Sequence, residues 1–163
     1  MTAKTAPRWL PIALGAVAAL GVAGLGALST ELGDWYYQLR QPSWKPPDAL
    51  FGPIWTTIFA LAATSGVLAW RNARDPRQRD GLMGLFAGNA VLNVLWSLLF
   101  FRLRRPDWAL IEVGFLWLSI ALLIFAIARV SRAASVLLVP YLLWVTFAAA
   151  LNYAVVQLNG PFG

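Results

Sequence analysis

Read for the alternation of apolar and polar positions, the chain divides into five long apolar runs separated by polar stretches. They cover about 9–28, 49–70, 81–101, 108–128 and 133–158. Each matches the roughly 20 helical residues needed to cross the hydrocarbon core of a bilayer. Only one charge, Glu112, falls inside them. The pattern predicts an all-α membrane protein, a bundle of five transmembrane helices forming one domain over residues 1–163. The connections are short except the first, 29–48, which is rich in proline and aromatic residues. Pro11 and Pro106 fall near helix starts, where a missing N–H costs little. Pro53 and Pro140 fall inside their runs and are expected to kink them. Lys4 and Arg8 before the first run also fit a signal peptide, but the run exceeds a typical apolar core of about 7–15 residues, so it is read as a span.

Composition supports lipid as the solvent. The chain is 60% hydrophobic and 12% charged, where a soluble domain carries about 25% charge. The net charge of +6 is spread in short clusters between apolar runs, which argues against a nucleic-acid face. Basic residues on the two sides of the membrane set the orientation. One side carries Lys4, Arg8, Arg71, Arg74, Arg77, Arg79, Arg129 and Arg132, and the other Arg40, Lys45, Arg102, Arg104 and Arg105. Eight against five favours a cytoplasmic N-terminus, with the first loop and the C-terminus outside. There is no cysteine and no histidine, which removes thiolate chemistry and the commonest metal ligand and proton shuttle.

Some residues carry more than hydrophobicity. Gly15, Ala19, Ala23 and Ala27 recur every four positions on the first helix, a stripe suited to close packing within the bundle. Gly84 and Gly88, with Gly81 a turn earlier, form a similar stripe on the third, which serves either internal packing or a dimer face. Asn89, Asn93 and Trp96 share one face of the third helix, and Tyr141, Trp144, Ala148 and Asn152 one face of the fifth. Of nine tryptophans, Trp9, Trp35, Trp70 and Trp108 fall at helix ends, as an interfacial belt would place them. Trp55, Trp96, Trp117 and Trp144 fall deeper, where an indole N–H wants a partner. An aromatic-lined interior with a few polar groups is the usual form of a small-molecule pocket. Glu112 lies about one turn past Trp108, within expected reach of interfacial water or Arg105.

Four segments in this order carry a resemblance: Trp35 to Pro47, then Gly52-Pro53-Ile54-Trp55, Asn93-Val94-Leu95-Trp96, and Pro140 to Tyr153. Together they resemble the tryptophan-rich sensory protein / translocator protein family (TspO/MBR, the peripheral benzodiazepine receptor family) over about 29–153. The resemblance implies a five-helix bundle, often a homodimer, with a pocket beneath a first loop that acts as a lid. It implies porphyrins and other tetrapyrroles as ligands, with synthetic isoquinoline and benzodiazepine-type compounds, and cholesterol in animal members. The matching pocket positions are Tyr36, Trp55, Asn93, Trp96, Trp144, Ala148, Leu151 and Asn152. Two departures stand out. Phe59 replaces a common tyrosine, and no Lys or Arg follows Tyr153, so the C-terminal cholesterol motif is incomplete. Leu32, Tyr36 and Arg40 fit the same loose pattern, which carries little weight.

Three functions follow as expectations. The first is tetrapyrrole binding for sensing, transport or scavenging, with porphyrin as ligand and no required cofactor or metal. The second is light- and oxygen-dependent porphyrin degradation, with Trp55 and Trp144 carrying the chemistry. The third is a structural or regulatory partner protein that acts through the Gly84 and Gly88 face.

Overall fold

The computed structural model describes residues 10–30 and 32–162, and the described residues contain helices and no strand. In chain order the helices are α1 (Leu10–Ser29), α2 (Asp34–Gln38), α3 (Phe51–Asn72), α4 (Pro76–Ser97), α5 (Pro106–Ala128), α6 (Arg132–Val136) and α7 (Val139–Asn159). A single 3-10 turn, Asp48–Leu50, leads into α3, and a π-helical turn, Leu98–Arg102, ends α4. Among the described residues four helical stretches are long and apolar enough to cross a bilayer: Asp48–Asn72, Pro76–Arg102, Pro106–Ala128 and Arg132–Asn159. Helix α1 has 20 residues and lies against α3 and α4. Helix α5 lies against α4 and α7, and α3 meets α7.

Local chemistry fixes the ends. Asp75 caps α4, accepting from the Gln78 N–H at 2.9 Å, with Pro76 next in line. Ser131 caps α6 by accepting from the Ala134 N–H. Pro53 and Pro140 depart from expectation. Pro53 is the third residue of α3 and Pro140 the second of α7, so neither breaks a helix interior. The first four N–H groups of a helix have no intrahelical acceptor, and proline there removes nothing. The last apolar run is accordingly two helices, α6 and α7, joined by a turn at Leu137 and Leu138.

Helix α5 shows how the interior is chosen. Leu116, Ile120, Leu123 and Ile127 recur at helical spacing and are fully buried. Ile111, Phe115, Leu118 and Phe125 on its other faces are each 59–68% exposed. Such an outer surface is unsuited to water and fits lipid tails. Gly15 belongs to the interior: a Cβ there would lie 3.2 Å from Val67 Cγ2, so α1 approaches α3 closely. Gly81, Gly84 and Gly88 face open space: beyond the local backbone of α4, no atom lies within 4 Å of a built Cβ. Lys4, Arg8 and Trp9 lie outside the described residues, as do the side chains of Ala23 and Ala27.

Candidate ligand cavity

One end of the helix assembly is hollow. The cavity measures about 420 Å³ and lies between α3, α4, α7 and the 29–48 connection. Tyr36, Trp55, Asn93, Trp96, Trp144, Ala148, Leu151 and Asn152 all line it. Phe51, Phe59, Phe100 and Phe101 add further rings to the wall. The π turn explains two of these. Its wider spacing rotates the end of α4 and brings successive residues Phe100 and Phe101 to the same cavity, 4.8 Å apart. Arg104 then closes the turn in the left-handed region (φ 55°), with the Arg105 N–H donating to the Leu99 carbonyl.

Most polar groups around the cavity are already paired. Trp96 Nε1 donates to Asn152 Oδ1 at 3.2 Å, and Asn152 Nδ2 donates to the Pro106 carbonyl at 2.8 Å. Asn93 Nδ2 donates to the Tyr141 hydroxyl at 3.1 Å, which donates to Asn89 Oδ1 at 3.2 Å. Asn89 Nδ2 in turn donates to Ser119 at 2.8 Å. The asparagines therefore tie α4 to α5 and α7. Asn89 does this from behind the wall and does not line the cavity. Trp117 is also outside it, about one-third exposed on α5 and bonded to Thr146 at 2.9 Å.

Two donors remain. Gln41 Nε2 and Trp144 Nε1 are buried, line the cavity and have no hydrogen-bond partner among the described residues. A buried donor left unpaired costs about 1–3 kcal/mol, so an oxygen acceptor brought by a ligand would relieve the site. Gln41 was not among the residues the sequence singled out. It sits in an aperiodic connection, where helical spacing gives no signal.

The connection is fastened over the cavity. Asp48 Oδ1 accepts from the Tyr36 hydroxyl at 2.8 Å and from Lys45 Nζ at 2.5 Å. Lys45 Nζ also lies 5.5 Å from the Tyr36 ring centre. Burial, then the Asp48 carboxylate, push the Tyr36 hydroxyl well above the ordinary phenol range, which keeps it a neutral donor. A second tie joins the connection to the end of α7. Asn159 Oδ1 accepts from the Arg40 N–H at 2.7 Å, and its Nδ2 donates to the Arg40 carbonyl at 2.9 Å.

Glu112 departs from expectation. Arg105 is committed to Asp107 through two contacts, and both Glu112 carboxyl oxygens are buried with no partner among the described residues. Glu112 does not line the cavity. No group of three or more acidic, His or Cys side chains suited to a metal ion occurs among the described residues.

Comparison with known proteins adds a consistent result. The model of the TspO/MBR family matches residues 13–158. The chain is 40% identical over 151 residues to the tryptophan-rich protein TspO of Chlorobaculum tepidum, covering 92% of this chain and 95% of that protein. It is 33% identical over 160 residues to the translocator protein of Homo sapiens, covering 92% and 90%. It is 32% identical over 126 residues to the tryptophan-rich sensory protein of Cereibacter sphaeroides, covering 77% of each.

Proposed function

The chain belongs to the TspO/MBR family, and from that premise we propose that it is a five-span membrane protein that binds a tetrapyrrole in its aromatic cavity. Binding would serve sensing, transport or scavenging, and the names of its relatives, translocator protein and sensory protein, accord with this. The observation that carries the reading is a cavity walled by tryptophan and phenylalanine rings with two unpaired N–H donors, Gln41 and Trp144. Flat apolar rings would stack on the wall, and peripheral carboxyl or carbonyl oxygens would meet the donors. In this arrangement the 29–48 connection is a lid, held by Asp48 and Asn159.

Without histidine or cysteine the chain lacks two of the common axial ligands of haem, and the phenol on the cavity wall, Tyr36, is already bonded to Asp48. Binding then rests on stacking and shape, and metal-free porphyrin binds at least as well as haem. Titration in the dark by tryptophan quenching tests this, and binding of haem alone would sink the proposal.

A second reading is favoured by the position of Trp55 and Trp144 on the wall, where both rings would touch a bound porphyrin. In light, with dioxygen as oxidant, the bound porphyrin would be degraded. Loss of porphyrin absorbance would follow illumination of wild type and slow in Trp55→Phe with Trp144→Phe. Equal rates would remove the two tryptophans from the chemistry.

The basic-residue count favours an inside N-terminus, with the lid and C-terminus outside. The open face of α4 at Gly84 and Gly88 serves a homodimer, with the partner-protein role a lesser alternative. Gly84→Leu would then shift detergent-solubilised protein toward monomer, as measured by light scattering.

A further inference from the structure

Trp144 stands between two spaces. On one side it lines the aromatic cavity, and on the other a shallower recess of about 610 Å³ between α3 and α7. The recess is walled by Pro53, Thr57, Ile58, Leu143 and Phe147, among others. The Thr57 hydroxyl already donates to the Pro53 carbonyl at 2.9 Å, so the recess presents an apolar lining. Leu143 is 65% exposed at its mouth. Both walls belong to stretches apolar enough to cross a bilayer, and the side chains at the mouth are apolar, so the recess suits lipid tails better than water.

The ring that borders both spaces is held by ring contacts and packing. Trp144 stacks on Phe147 with centroids 5.3 Å apart and meets Phe51 edge-on at 5.5 Å. Its indole N–H has no hydrogen-bond partner among the described residues, whereas those of Trp96 and Trp117 are each fixed to a neighbouring helix. Turning Trp144 therefore breaks no hydrogen bond. Opening the lid instead breaks the double tie between Asn159 and Arg40.

We infer that Trp144 is a side gate, and that a flat apolar ligand reaches the cavity from the bilayer between α3 and α7 rather than from water through the lid. This rests on the tetrapyrrole reading of the cavity and adds its route. A gate sets rates and leaves equilibrium untouched when the bound contacts are unchanged, so the two readings can be tested separately.

The experiment uses full-length protein in phosphatidylcholine vesicles with metal-free protoporphyrin as probe, followed by tryptophan quenching at equilibrium and in stopped flow. Thr57→Phe with Leu143→Phe fills the recess without touching the cavity wall. Association and dissociation should both slow by a common factor of about ten, with Kd unchanged. Thr57→Ala with Leu143→Ala widens the recess and should speed both. Rates equal to wild type in a filled variant of normal Kd would overturn the side gate. If the filled variant fails to fold, the widened one decides, and unchanged rates there overturn the gate equally. Absence of saturable binding by wild type would appear at equilibrium, and would remove the tetrapyrrole reading and the route with it.

Discussion

The two ends of the helix assembly use their polar groups in opposite ways. At the closed end, Ala69, Leu82, Leu123, Ile127, Ala134 and Leu138 form a core with almost no exposure. The buried hydroxyls near it are spent on backbone: Ser65 donates to the Ala134 carbonyl and Ser135 to the Ile124 carbonyl, each at 2.8 Å. At the open end the side chains are aromatic, a cavity remains, and two buried donors are left unpaired. Small apolar residues and serines let helices close on one another. Large rings, tied only in part, keep them apart. The closed end is built for stability, and the open end holds in reserve the contacts that a ligand would complete.

That contrast breaks most sharply at Leu123. Because lipid tails are as apolar as leucine, truncation loses little transfer energy and chiefly leaves a cavity, at a cost of about 2 kcal/mol. Leu123→Ala should lower the unfolding midpoint in detergent clearly while leaving porphyrin Kd near wild type. A larger change in Kd than in stability would mean that the two ends are not separate.

The tryptophan pair sharpens the comparison at the next level. Trp96→Phe leaves Asn152 Oδ1 without its donor and should cost about 1 kcal/mol of stability. Trp144→Phe removes an N–H with no partner among the described residues, so stability should hold. Its effect should fall on binding, with oxygen-bearing porphyrins weakened about tenfold, or roughly 1.4 kcal/mol, and an oxygen-free alkyl porphyrin unaffected. Equal loss for both porphyrins would show that Trp144 acts through its ring alone.

These cases also show what was legible in the sequence. Helical spacing placed Asn93, Trp96, Trp144, Ala148 and Asn152 on two faces, and those faces do meet at the cavity. It could not set how far each face turns inward, so Asn89 fell behind the wall and Trp117 outside it. An apolar run hides where a helix begins, so Pro53 and Pro140 look like interior kinks in the sequence and stand in first turns in the fold. Phe100 and Phe101 became neighbours on the wall only through a π turn, which spacing of three or four residues does not foresee. Gln41, Asp48 and Asn159 act through contacts that join distant parts of the chain, and these depend on the fold rather than on any local period.

Ser65 and Gln41 set the same comparison at a smaller scale. Ser65→Ala orphans the Ala134 carbonyl at the closed end and should cost about 0.6 kcal/mol, the average for a side-chain bond inside a membrane protein. Gln41→Leu removes an unpaired buried donor at the open end, so stability should stay level or rise slightly. Affinity for an oxygen-bearing porphyrin should fall at the same time. Thermal unfolding with and without porphyrin separates the two effects, and a destabilised Gln41→Leu protein would show that Gln41 already has a structural role.

The smallest expected effect is at Asn159, and it tests whether the lid belongs to the open end or to the frame. The side chain pairs with both backbone groups of Arg40, 119 positions away in the chain. It also donates to the Val155 carbonyl within α7, so its orientation is fixed before the lid arrives. Each bond is partly exposed, and water replaces such bonds at a net cost of about 0.5 kcal/mol. Asn159→Ala should therefore leave the unfolding midpoint almost unchanged. Amide exchange at Arg40 should quicken, because its N–H loses its acceptor, while the remaining fastening at Asp48 keeps Tyr36 in place. If ligands move through the side gate, porphyrin association should not change. A marked increase in association for Asn159→Ala would instead make the lid the route and leave Trp144 as wall.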